Sequence, residues 1–136
     1  MGPTVERGET ALHDAASFGL SEIITILVSA GADLENGNKD GYTPLQSAAM
    51  YGQVDGVKTL GNLGADFNVV GGNESVSALT MAVQMGFPDV VQLLLEMGAD
   101  PDAKDNSGKT AGDWAAKLGD GEMIKMLGKS FAELVR

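Results

Sequence analysis

The stretch NGNKDGYTPLQS, Asn36 to Ser47, offers side-chain oxygens at Asn36, Asn38 and Asp40, in the alternating spacing with which an EF-hand loop wraps a calcium ion. Such a loop closes with a bidentate glutamate, and Ser47 stands in that place. Asp40 is then the only carboxylate among the four ligand positions, too little negative charge for a hard divalent cation. No metal is expected here. The other group with chemical potential is His13, the single histidine of the chain. With no cysteine, no Cys/His pair, thiolate metal site or disulfide can exist, and a serine triad would rest wholly on His13. Neither a G-x-x-x-x-G-K-[ST] phosphate loop nor a G-x-G-x-x-G turn occurs, so no cofactor is expected. Carboxylates are plentiful, but spread over an acidic chain they read as solvated surface.

The formal charge of −10 disfavours nucleic acid phosphates and anionic membrane surfaces, both of which need a concentrated positive face. A partner protein that is basic or neutral at the contact fits better. The charge is also uneven: residues 1–103 carry 14 acidic and 3 basic side chains, net −11, and residues 104–136 carry 5 and 6, net +1. No apolar run approaches 18 residues and no signal-peptide core is visible, which gives the expectation of an intracellular protein, cytoplasmic or nuclear. Gly2 is followed by Pro3 and by Glu6 where a myristoylation signal wants Ser or Thr, and the sequon at Asn73 lacks a secretory context.

The elements that position these groups recur. Gly-Ala-Asp begins at Gly31, Gly64 and Gly98, at intervals of 33 and 34, and TALHDAASFG (Thr10), TPLQSAAMYG (Thr43), SALTMAVQMG (Ser77) and TAGDWAAKLG (Thr110) keep the same step. In each copy a Ser or Thr is a good N-cap, Ala or Pro44 follows at the first helical position, and Gly19, Gly52, Gly86 or Gly119 can take the left-handed turn that ends a short helix. Paired small residues, Ala15/Ala16, Ala48/Ala49 and Ala115/Ala116, let neighbouring helices approach closely. A second helix follows with an apolar stripe of Ile23, Ile24 and Leu27, of Val90, Val91, Leu94 and Leu95, or of Met123, Ile124 and Leu127, and in the first three copies the Gly-Ala-Asp glycine stops it. The connection to the next Thr is short, polar and turn-rich.

This pattern resembles the ankyrin repeat, over nearly the whole chain. The resemblance implies an all-α repeat fold, a solenoid of helix-turn-helix units joined by hairpin-like loops, as one domain spanning 1–136 with repeats at about 5–37, 38–70, 71–104 and 105–136. It gives His13, which completes T-x-L-H, a structural role, hydrogen bonded within its own repeat and to its neighbour. It also makes Pro44 a helix start inside the supposed calcium loop. The altered T-A-G-D-W-A motif and the polar end with Lys125, Lys129, Glu133 and Arg136 suit a capping repeat.

Partner contacts in this family fall on the loop tips and on the exposed edge of each first helix. The tips here are Glu6, Arg7 and Glu9; Lys39, Asp40 and Tyr42; Glu74 and Val76; and Asn106, Ser107 and Lys109. The helix edges offer Ser17 and Phe18, Met50 and Tyr51, Gln84 and Met85, and Lys117 and Leu118. Phe18, Tyr51, Met85 and Leu118 share one register and are all apolar, so stacking would align them into a ladder. Such a ladder is either a binding groove or a row half-buried against the next repeat. The expected function is non-catalytic: a monomer that binds another protein through its concave face and loop tips.

Three features break the pattern. The third loop, VVGGNESVS, is one residue longer than its counterparts and lacks the glycine found at Gly41 and Gly108, which reads either as a tolerated insertion or as a contact finger. Gly56 and Gly61 stand where the other copies place bulky apolar residues, and Gly112 replaces Leu12, Leu45 and Leu79. These gaps are filled by Phe67, Met81 or Trp114, or they leave a soft second repeat or an apolar ligand cavity. Self-association through the ladder and small-ligand binding in the gaps are the alternative functions.

Overall fold

The computed structural model describes residues 10–72 and 74–128. The expectations placed on Gly2, Pro3, Glu6, Arg7, Glu9, Asn73, Lys129, Glu133 and Arg136 lie outside these residues. Eight helices occur among the described residues: α1 (Ala11–Ser17), α2 (Ser21–Ser29), α3 (Pro44–Met50), α4 (Val54–Asn62), α5 (Ala78–Met85), α6 (Pro88–Glu96), α7 (Ala111–Leu118) and α8 (Gly121–Met126). They pair as four helix-turn-helix units whose first helices pack in the order α1, α3, α5, α7, and whose second helices form a parallel row α2, α4, α6, α8. The all-α repeat solenoid expected from the sequence is what the chain forms.

Local chemistry starts and stops each helix as the repeats predict. The hydroxyls of Thr10, Thr43, Ser77 and Thr110 accept from the backbone N–H three residues on, satisfying a donor the helix itself leaves unpaired. Thr43 with Gln46 and Thr110 with Asp113 complete reciprocal capping boxes, and Pro44 sits in the first turn of α3. The inner helices are followed by Gly19, Gly52, Gly86 and Gly119, with φ between 68° and 81°, a region only glycine enters without strain. Behind each Gly-Ala-Asp turn a carboxylate closes the bend: Asp33, Asp66 and Asp100 accept from the backbone of Glu35, Asn68 and Asp102 at 2.9 Å.

The core lies between the two helix rows. Ala16, Ala48, Ala49 and Ala82 are fully buried at the joints of the inner row, where small side chains let backbones meet. Leu60 and Leu94 fill the space behind them at one register, with Ile24, Val57 and Val91 beside them at the next. The first apolar stripe departs from expectation: Ile24 is buried, but Ile23 is 46% exposed, at the register where Gly56 of the second repeat meets the repeat before it.

The gaps expected at the second-repeat glycines are closed. A Cβ added at Gly61 would come within 2.5 Å of Met97 Cε and 2.9 Å of Phe67 Cζ, so the missing side chain is replaced by two from outside its own helix. At Gly56 a Cβ would sit 3.2 Å from the Ala16 carbonyl oxygen and 3.4 Å from Ala48 Cβ, which makes this glycine a point of close approach between repeats. Gly112 is simply buried in α7. The volume expected to stand empty at Gly56 and Gly61 is thus taken up, which removes the ligand cavity argued there.

The third loop is more tightly built than its extra residue suggests. Gly71 and Val76 exchange backbone hydrogen bonds as an isolated antiparallel bridge, and Val76, expected at the exposed tip, is 2% exposed. Val76 is thereby the foot of the loop. Gly71 lies against the carbonyl oxygen of Gly41 in the previous loop, where a side chain would strike backbone. Replacing Gly71 with alanine is expected to destabilise the protein by about 1–3 kcal/mol through overpacking, seen as a lower urea midpoint in a circular-dichroism titration. An unchanged midpoint would show that loops two and three are not locked together.

Candidate partner-binding surface

Each ladder residue stands at the end of an inner helix, one position before the left-handed glycine. Phe18 and Tyr51 cap α1 and α3, and Met85 and Leu118 are the last residues of α5 and α7. Their exposures are 72%, 57%, 52% and 52%. Phe18 is the most open, while Met85 and Leu118 keep about half of their surface in water, so the row is accessible at every repeat and partly packed at its later positions. Beside them Met50 and Gln84 are half-buried and Lys117 is exposed.

The loops next to this row are held by side chains that never reach the surface. His13 is fully buried; its Nδ1 lies 2.8 Å from Thr10 Oγ1 and its Nε2 lies 2.8 Å from the carbonyl oxygen of Tyr42 in the next loop. A carbonyl only accepts, so Nε2 donates to Tyr42. Gln46 does the same work one repeat later. Its Oε1 accepts from Thr43 N at 2.8 Å, and its Nε2 donates to the carbonyl oxygen of Val76 at 2.6 Å. At the third joint the link is between backbones, Asn106 N donating to the Glu74 carbonyl oxygen at 2.9 Å. Loops two, three and four thus hang from a continuous set of bonds.

The tips of loops two and four are Asx turns. Asn38 Oδ1 accepts from the backbone of Asp40 and Tyr42, each at 3.0 Å, and Asp105 Oδ1 accepts from Ser107 and Lys109 at 2.9 and 3.0 Å. Asn38, the middle of the three residues in the calcium-like spacing, thus serves the turn. Lys39, Asp40, Glu74 and Asn106 are exposed, whereas Tyr42 and Lys109 are half-buried, with the Tyr42 ring lying where a Gly72 side chain would be.

Loops three and four meet α7 in a cleft lined by Glu74, Asp105, Asn106, Lys109, Trp114 and Lys117. With Ser107, which also lines it, five of these residues were expected at the surface from sequence; Trp114, which anchors the cleft, was not. Its indole N–H donates to Asp105 Oδ2 at 2.8 Å, and the ammonium groups of Lys117 and Lys109 lie 4.8 and 5.9 Å from its ring centroid. The readable signal was Lys117 three residues after Trp114, which puts both on one helix face. Burial of Asp105 alone would raise its pKa, but the hydrogen bonds from Ser107, Trp114 and Lys109 outweigh it and hold the carboxyl at about 2, below the ordinary 3.8.

A carboxyl whose folded pKa is depressed adds stability that is fully present above its unfolded value and is lost as pH falls through the folded one. For Asp105 that window runs from about pH 4 down to about pH 2. Fluorescence of Trp114, the single tryptophan, is therefore expected to hold its neutral-pH emission down to the ordinary carboxylate range and to change only nearer pH 2. Asp105→Ala should show the altered emission already at neutral pH. A wild-type transition centred on the ordinary carboxylate pKa would mean that Asp105 does not hold the ring.

A stack of helix pairs with an exposed apolar row and braced loops defines a helical repeat solenoid. The model for ankyrin repeats in three copies matches residues 2–71 and 64–135, and the chain belongs to the ankyrin-repeat family. It is 35% identical over 120 residues to the E3 ubiquitin-protein ligase hecd-1 of Caenorhabditis elegans, covering 88% of this chain and 4% of that protein. It is 39% identical over 86 residues to ankyrin repeat and SOCS box protein 2 of Bos taurus (63% and 14%), and 32% identical over 131 residues to neurogenic locus notch homolog protein 1 of Danio rerio (95% and 5%). The chain thus spans a small part of these relatives, and the similarity lies in their repeats. Ankyrin repeats generally bind other proteins and are typically non-enzymatic. No described helix is long and apolar enough to cross a membrane.

Proposed function

We propose that this chain is a non-catalytic recognition module that binds a partner protein along the row Phe18, Tyr51, Met85 and Leu118, flanked by Met50, Gln84 and Lys117. The loop tips Lys39, Asp40, Tyr42, Glu74, Asn106 and Lys109 rim that row. The observation that carries the reading is the exposure of four large apolar side chains at one register of four successive repeats. Aromatic and methionine side chains supply large contact area, and methionine adapts its shape to the partner. The net charge of −10 favours a partner that is basic or neutral where it touches, with no role for nucleic acid or an anionic membrane, and the setting is intracellular. Small-ligand binding at the second-repeat glycines is not retained, since Met97 and Phe67 occupy that space. The test is capture from a lysate by immobilised wild type beside Tyr51→Ala/Met85→Ala. Proteins held by wild type and lost with the variant support the row; capture of the same proteins by both places recognition elsewhere.

A further inference from the structure

Asn36 and Gly37 lead into loop two, and this glycine answers no demand of the fold. Its φ lies outside the left-handed region, and a Cβ added there would meet its nearest atoms, the Gly41 carbonyl carbon and Cα, at 3.6 Å, an ordinary contact. Alanine would fit in its place. Both residues are exposed, and among the described residues neither the Asn36 side chain nor the Gly37 N–H has a hydrogen-bond partner. The other described asparagines are held, either by their own side chain or through the N–H that follows them. Asn38 Oδ1 carries the turn of loop two, and Asn68 Oδ1 accepts from Asp100 N at 3.0 Å. After Asn62, Leu63 N donates to the Thr59 carbonyl oxygen at 3.0 Å, and after Asn106, Ser107 N donates to Asp105 Oδ1 at 2.9 Å.

An unbonded backbone nitrogen beside an unbonded side-chain amide can react with it. Once the Gly37 N–H gives its proton to solvent base, the nitrogen attacks the Asn36 side-chain carbonyl carbon. A C–N bond forms there, the bond to the side-chain nitrogen breaks, and ammonia leaves, closing a cyclic imide. Glycine permits the approach because no Cβ stands in the way. Water then opens the ring: attack at the side-chain carbonyl gives aspartate, and attack at the backbone carbonyl gives isoaspartate, whose chain runs on through the side-chain carbon. One water is consumed and one ammonia released, with no change of oxidation state. We propose that Asn36–Gly37 is a self-modifying site, where slow conversion to isoaspartate and aspartate resets loop two. Either product adds a negative charge next to Glu35. Isoaspartate also lengthens the backbone just before Asn38, whose carbonyl and side-chain oxygens hold the N–H groups of Asp40, Gly41 and Tyr42. The Tyr42 carbonyl in turn takes the bond from His13, so the change reaches the joint between repeats one and two. The chemistry is independent of the apolar row.

Peptide mapping by mass spectrometry tests this on the full chain, incubated at mildly alkaline pH and sampled over weeks for the mass gain of an amide turned to an acid. Conversion at Asn36 is expected to run within about threefold of its rate in a synthetic peptide of residues 34–40, and about tenfold or more faster than at Asn106 in the same sample. Gly37→Ala should slow it by about tenfold or more and leave the melting temperature unchanged. A rate in the folded chain more than about tenfold below that of the peptide would mean that the loop withholds the Gly37 nitrogen, and overturns the site. Hydrogen exchange then tests the loop. In the isoaspartate form, isolated by chromatography, the amides of Asp40, Gly41 and Tyr42 are expected to exchange about tenfold faster than in Asn36→Asp, which carries the same charge on an ordinary backbone. Equal protection in the two would show that the lengthened backbone leaves the turn intact, and overturns the resetting of loop two.

Discussion

His13→Ala is expected to lower the free energy of unfolding by about 3–5 kcal/mol. Two terms add: loss of the buried ring leaves a void that a close-packed joint collapses only in part, and the Tyr42 carbonyl loses its donor inside the protein. The nature of the role is checked by His13→Gln. Gln46, at the same register, accepts from its capping backbone and reaches the next loop's carbonyl, so glutamine at position 13 should recover most of the loss. Urea denaturation of the three proteins decides it. Equal losses for alanine and glutamine would mean that the imidazole ring contributes by filling space and that the bond to Tyr42 contributes little.

For the captured partner, Tyr51→Ala/Met85→Ala is expected to weaken binding by about 100-fold or more, read by titration calorimetry. Central interface aromatics commonly contribute 2 kcal/mol or more each when truncated, and each 1.4 kcal/mol is a factor of ten. Stability should change by no more than about 0.5 kcal/mol, because both side chains are over half exposed and neither holds a joint together. That combination separates a contact role from a structural one. A loss of stability equal to the loss of affinity would assign Tyr51 and Met85 to the fold, and unchanged affinity would remove them from the interface.

Much of the fold could be read from the chain because each repeat restates its own instructions. Thr10, Thr43, Ser77 and Thr110 cap, the glycines nine residues later stop, and the step of 33 or 34 residues places His13 over the next loop. These are local signals or signals one repeat long. What could not be read depends on which side of a helix meets which neighbour. Gly61 looked like a gap because its filling comes from Met97 and Phe67, beyond its own helix. Ile23 looked buried because its periodicity is right, but its face is not one that the following repeat covers. Val76 looked like a tip residue because loop length says nothing about pairing, whereas the bridge to Gly71 draws it inward. For the candidate surface, the shared register of the four apolar residues was visible, and their exposure was not. The Trp114 cleft escaped notice since Lys109 on its loop and Lys117 on its helix read as separate contact residues, and nothing local shows that both flank one ring held by Asp105.

The central claim is that recognition runs along the exposed apolar row, and side-chain footprinting with hydroxyl radicals, with and without the captured partner, tests it most directly. Phe18, Tyr51, Met85 and Leu118 are expected to lose reactivity together in the complex, while the exposed outer faces of α4 and α6, around Lys58 and Gln92, stay unprotected. Protection of those outer faces with Tyr51 and Met85 still reactive would contradict the account.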